Sequence, residues 1–483
     1  MHVWRNDLTG DGYPFSLDGA RVLASFVQLT DLHVIDASSP ARAEACQLLT
    51  DDPRWRPVLA MHRPYELLTQ HAVASIVATI ASAPIGPVSG APFDLGLVTG
   101  DCIDNAQRNE LLSYLALLDG GTVHLPYDGV QSRAFAGAGF WCPEPDVSDP
   151  WKRDHGFPSY PGMLDAINEP IVSAGIGIGW LAVLGNHDVM RQGTAFTTPM
   201  LEQIAVSDRK ADAMPPKFLP DDALRAYVDT PEAFVLGAST RSVRPDLGRR
   251  AITTDEFIRA HMEPSAVLRG HGFVEGQGGN YVHDLDEVRI IVLDTNHPAG
   301  HFEGSVGETQ LAWLEAQIVA AHPRFVVIVT HHGLDSLINE FVGTASGGSA
   351  EERLLAEPVA AVLHRHANVI AWVSGHRHIN RIVARLDPDG AGPGFWDIVT
   401  SSIIDWPSQA RAIEILALTD GRIVIATTAI DHRIGVSGDV STVDGLATIH
   451  RELALSTVSM NGPRALHRRA GQAADRNALL VVR

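Results

Sequence analysis

Short apolar runs that stop abruptly at polar clusters set the rhythm of this chain. Residues 22–30, 93–99, 180–184, 288–293, 325–329 and 369–373 are such runs, of strand length and rich in Val, Leu and Ile. Helical spacing falls between them, over 65–82, 107–118 and 350–365. Leu311, Leu314 and Ile318 form one more helical stripe, with Trp313 beside it. This alternation predicts an α/β core. Past residue 380 the pattern changes. Residues 382–386, 395–400, 412–418 and 422–428 are β-rich with no helix between them, which predicts a second sheet completing the core. Two stretches break the rhythm. Residues 119–170 are rich in Gly, Pro and aromatics and predict a long irregular insertion. Residues 190–286, with Pro215, Pro216, Pro220 and the glycines near 276–279, read as an inserted cap. The small-residue stretch 342–350 predicts a mobile loop. The domain plan is one unit over 20–435, followed by a helical tail over 436–483 with a helix near 446–455.

What ends the apolar runs matters more than the runs themselves. The tips supply Asp31 and His33, then Gly100-Asp101 with Asp104, then Gly185-Asn186-His187-Asp188, then His331-His332, then Gly375-His376 and His378. In an open α/β sheet, ligands bind outside the carboxyl ends of the strands, so these groups fall on one rim. Residues i and i+2 of an extended segment point the same way, so Asp31/His33 and His376/His378 each aim two side chains at one place. Imidazole and carboxylate together suit Zn, Mn or Fe and are too nitrogen-rich for a Ca or Mg cage. Asp31, His33, Asp101, Asn186, His331, His376 and His378 are too many donors for one tetrahedral zinc. They suit two ions, provided one carboxylate bridges. His332 reads as a supporting residue and Cys102, facing away from Asp101, as core. His297 and His301 read as solvated loop residues. Asp405 and Arg411 follow the 395–400 strand, with Arg411 in a surface ion pair.

Composition narrows the partners. A 483-residue chain with a formal charge of −20 offers no positive field for general nucleic-acid or anionic-membrane binding. No apolar segment approaches the length of a membrane span. Three distant cysteines give neither a disulfide framework nor a zinc motif. The first residues lack a basic stretch followed by an apolar core, so a cytoplasmic location is expected.

The five blocks Asp31-x-His33, Gly100-Asp101-x-x-Asp104, Gly185-Asn186-His187-Asp188, His331-His332 and Gly375-His376-x-His378 resemble, as a set, the signature of the calcineurin-like metallophosphoesterases. The pattern is similar to the purple acid phosphatase and class III cyclic-nucleotide phosphodiesterase branches. The resemblance implies a four-layer α/β/β/α sandwich of two mixed sheets, and a dinuclear centre of Mn, Fe or Zn. It implies one ion on Asp31, His33, Asp101 and His378, and the other on Asp101, Asn186, His331 and His376. His187 would then face the phosphate, with Asp188 orienting it and Asp104 bracing the turn after Asp101. The implied activity is hydrolysis of a small phosphodiester, or failing that a phosphomonoester, by metal-activated hydroxide. The alternatives are a scaffold that keeps the fold without turnover, and a nuclease. Complete motifs speak against the first and acidic charge against the second.

Overall fold

The strands of this computed structural model form where both of their faces are covered. It describes residues 2–10, 16–49, 52–55, 58, 62–124, 129, 140–262, 268–340, 351–390 and 392–482. The expected loop over 342–350 lies outside the described residues. Val288–Leu293, Phe325–Thr330 and Val369–Ser374 are parallel neighbours and almost wholly buried. Their near-continuous Val/Ile runs are what a doubly covered parallel sheet demands.

There are two principal mixed sheets. Named by first residue, the seven-stranded one runs Val3, Ala478, Ile423, Gln409, Arg21, Leu95, Trp180. The six-stranded one runs Arg381, Phe395, Val369, Phe325, Val288, Tyr281. The late strands, expected as a sheet of their own, are divided between the two. Arg381–Arg385 and Phe395–Val399 extend the six-stranded sheet, while Gln409–Ala417 pairs antiparallel with Arg21–Leu29.

Strand periodicity sorts the core. Ile290 and Val292 join Phe26, Leu97, Leu181 and Ile413 in one buried cluster shared by the two sheets. Ile291 and Leu293 point the other way, onto Leu311, Leu314 and Ile318 of helix Glu308–Ala320 and Val359 and Leu363 of helix Ala356–Leu363. On the seven-stranded sheet, helices Thr69–Ser82 and Arg108–Asp119 contribute Val73, Ile76, Leu111 and Leu117 to the first cluster.

Several expectations are corrected. Helix 350–365 is shorter, Ala356–Leu363, because Pro358 lacks an N–H and is tolerated only in the first turn. The irregular 119–170 insertion contains helices Pro150–His155 and Met163–Ala166. In the 190–286 stretch, Tyr281–Asp284 is an edge strand of the six-stranded sheet. The helical tail ends in a strand, Ala478–Val481, buried between Ile423–Asp431 and Val3–Arg5. Among the described residues no helix is long and apolar enough to cross a membrane.

Candidate metal centre

Three parallel strands of one sheet (Arg21–Leu29, Leu95–Val98, Trp180–Ala182) and three of the other (Val288–Leu293, Phe325–Thr330, Val369–Ser374) open their carboxyl ends towards one cleft. At these tips the backbone turns sharply. Asp31, His33, Asp101, His376 and His378 all have positive φ, between 44° and 66°. That left-handed region is strained for residues with a Cβ and is typically held only where the surroundings over-determine it. Gly185 sits so close to the second tip that a Cβ there would overlap the Asp101 backbone nitrogen and carboxylate.

The turns converge side chains. His378 Nε2 lies 3.0 Å from Asp31 Oδ1. His331 Nε2 lies 3.2 Å from Asp101 Oδ2 and 2.9 Å from Asn186 Oδ1. His33 Nε2, buried and without a hydrogen bond, lies 3.7 Å from Asp101 Oδ2. Two ligands about 2.1 Å from one ion and at roughly right to tetrahedral angles stand about 3.0–3.4 Å apart, so most of these separations are edges of a coordination shell. Asp31, His33 and His378 form one convergent set; Asp31, Asp101 and His331 form another. Asp101 Oδ1 accepts from His187 N at 2.8 Å, which leaves Oδ2 turned to both sides. The clustered histidines and aspartates fit a two-metal site.

The far ring nitrogens are held in turn. His33 Nδ1 is 3.0 Å from Asp104 Oδ1, His331 Nδ1 is 2.9 Å from Thr99 O, and His378 Nδ1 is 2.7 Å from Asp405 Oδ2. Such contacts fix the tautomer and aim the free nitrogen at the ion. Burial disfavours the charged His33 ring, and His187 beside it adds to this, holding it down at about 4. Burial also opposes charge on His331, but Asp101 outweighs it and raises that ring to about 9. Asp101, with His331 and His187 against it, stays well below the usual carboxylate range despite burial.

His187 is partly exposed, as is His376. Its Nδ1 lies 3.0 Å from the Asp104 carbonyl and 3.1 Å from Asp104 Oδ1. Asp188, expected to orient this ring, instead curls back on the backbone. It accepts from Cys102 N, Ile103 N and Gly185 N at 2.8–3.1 Å. The third position of a helical turn places one carboxylate oxygen on the N–H that opens the turn, Gly185, and the other reaches the Asp101 tip, so Asp188 ties the two tips together and Asp104 meets the imidazole. Asp104 is itself held by Arg42, which also pairs with Glu44 and Glu66; Lys210, from the 190–286 stretch, pairs with Glu44.

His332 is engaged at both nitrogens, by Thr295 Oγ1 at 2.7 Å and Phe302 O at 3.0 Å, and supports its neighbour. Cys102 is fully buried. His297 is buried and His301 half-buried, because each Nδ1 accepts a backbone N–H two residues on. Arg411 is buried, not in a surface pair; it donates to Thr400 Oγ1 and Asn380 Oδ1 and to the carbonyl of Asp475. Sequence reasoning gives Asp405 no role beyond a loop. Besides His378 it binds Arg63, Tyr65 and Arg469. Its signal is faint, an aspartate six residues past the Phe395–Val399 strand on the same rim.

A cleft of about 500 Å3 opens over these groups, lined by His33, Asp101, Asn186, His187, His376 and His378. Arg63, Arg377, Arg468 and Arg469 stand around it.

No family model matches the chain. It is 37% identical over 51 residues to a probable cyclic nucleotide phosphodiesterase of Rhodococcus erythropolis, a match spanning 11% of this chain and 17% of that relative's length. Among solved structures, a dimetal phosphatase from Danio rerio is similar at 13% identity over 86% of this chain and all of that one, with a TM-score of 0.38. The GAP50 anchor of the Plasmodium inner membrane complex is similar at 11% identity, over 90% of this chain and 95% of that one, with a TM-score of 0.24.

Proposed function

We propose that this protein is a two-metal phosphoesterase that hydrolyses a small phosphodiester in preference to a phosphomonoester. The observation that carries this reading is the convergence of Asp31, His33, Asp101, Asn186, His331 and His378 at coordination-edge distances on one rim. In this reading Asp31, His33, Asp101 and His378 would hold one ion, and Asp101, Asn186, His331 and His376 the other, so Asp101 would serve both. On the six-stranded sheet alternate residues face opposite clusters, one shared with the other sheet and one built with helices, which supports a four-layer α/β/β/α arrangement of the metallophosphoesterase kind.

Two such ions, when bound, lower the pKa of a shared water and offset the charge of phosphate oxygens. The chain's residues do the rest. Asp101 is fixed by the backbone of His187, so one oxygen keeps its place between the two donor sets. His187 has Nδ1 on Asp104 and stands 3.9 Å by Nε2 from Asp101 Oδ2. Burial opposes charge on this ring, but Asp101 and Asp104 outweigh it and raise its pKa; with Nδ1 held by Asp104, its Nε2 is the edge placed to pass a proton to the departing oxygen. Of the four arginines around the cleft, Arg63 and Arg469 pair with Asp405 and Arg377 with Glu303, so their charge is largely spent on holding carboxylates of the site in place.

The test is turnover of bis(p-nitrophenyl) phosphate and p-nitrophenyl phosphate by metal-stripped protein as Mn2+ is restored. Activity should rise with the second ion, the diester ahead of the monoester. Background rates on both with two ions bound would contradict the reading.

A further inference from the structure

Three of the four histidines proposed as ligands have their far ring nitrogen held by an oxygen: Asp104 for His33, the Thr99 carbonyl for His331 and Asp405 for His378. The fourth, His376, has a carboxylate beside it that the sequence did not point to. Glu303 is buried, at 6% exposure, and its Oε2 lies 3.4 Å from His376 Nε2. That oxygen has no hydrogen-bond partner and faces the His376 ring across this gap.

Glu303 is firmly placed. Arg377, the neighbour of His376 in the chain, binds its other oxygen at 2.9 Å and is anchored on Ser336 Oγ at 2.7 Å. The Glu303 carbonyl accepts from Asn339 Nδ2 at 2.7 Å, and its N–H donates to His301 Nδ1 at 3.0 Å. Phe302, next to it, packs its ring over His376. Yet among the described residues Glu303 joins none of the convergent donor sets. It reaches the imidazole from outside them, as an orienting partner would and a ligand would not.

We propose that Glu303 is a positioning residue of the metal centre. With the ion in place it would accept from His376 Nε2–H and so leave Nδ1 for the ion that His331 and Asn186 would hold. This rests on the two-metal reading. Arg377 holds the carboxylate in place, so the residue between His376 and His378 in the chain serves the centre through Glu303.

The experiment is metal retention by the whole protein, wild type against Glu303→Gln and Glu303→Ala. Elemental analysis after equilibration with graded chelator gives manganese per chain, and electron paramagnetic resonance separates a coupled Mn pair from a lone ion. Wild type should hold two ions with a coupled signal. Both variants should bind one ion as wild type does and the other about 10–100-fold more weakly, with the lone-ion signal replacing the coupled one. The near-isosteric Gln variant, melting like wild type when metal-free, separates positioning from folding. Two ions held at wild-type affinity in both variants would overturn the proposal. So would loss of both ions together, or a metal-free Gln variant that melts far below wild type. A wild-type protein that takes up fewer than two ions would overturn the two-metal reading itself, which the variants need not be made to show.

Discussion

Asp101 has one oxygen on the backbone of His187 and the other turned to His331, His33 and the His187 ring. Removing its charge should therefore affect both ions at once. Asp101→Asn is expected to lose both on dialysis, read by elemental analysis; one ion kept at full occupancy would rule out the bridge. His187 has the opposite profile. Its ring is held by Asp104, packs against His33 and faces the cleft, so it converges with His33 and Asp104 without meeting Asp31, His331 or His378 in one set. His187→Ala should keep both ions and lose about 10²–10⁴-fold in turnover, the usual worth of a positioned acid or base. Loss of metal instead would make His187 a ligand.

The elements matter through their tips. Gly185 and Asp101 touch backbone to backbone, where the Leu95–Val98 and Trp180–Ala182 strands end. Gly185→Ala should push the two tips apart, costing about 1–3 kcal/mol by overpacking and weakening Mn binding. Calorimetry and a metal titration check both, and unchanged values would mean that the contact is slack. Period and punctuation made these tips legible. Apolar runs marked strands covered on both faces, and the polar residue ending each run sits at the rim. What stayed illegible came from pairing across the chain. That Gln409–Ala417 returns beside Arg21–Leu29, or that Ala478–Val481 completes the same sheet, depends on hydrogen bonds between segments hundreds of residues apart. Asp405 escaped for the same reason, since only the fold sets it against His378. Asp188 was misread for a mixed reason: its short turn draws one oxygen onto Gly185 N, while the fold sets the other against Cys102 N and Ile103 N of the neighbouring tip.

At the scale of the whole molecule, buried histidines outside the centre set an acid limit. Burial pushes His71 down to about 4 and His261 and His450 to about 3. Unfolded, each would titrate near about 6.5. The unfolded chain therefore binds more protons below that point, and stability falls as pH drops towards about 4. The slope is on the order of 1.4 kcal/mol per pH unit for each ring. The change in melting temperature between pH 7.5 and pH 5.5 should shift towards stability at low pH in His261→Gln and His450→Gln relative to wild type; an unchanged pH slope in both would show that these rings are solvated in the folded state. The same globule, acidic overall, gathers cations around the one cleft where its strand tips meet. The most direct measurement is anomalous scattering from a Mn-soaked crystal. Two peaks about 3.5–4 Å apart, both within bonding distance of Asp101, are the predicted result. A single peak, or peaks that Asp31, His331 and His378 do not reach, would contradict it.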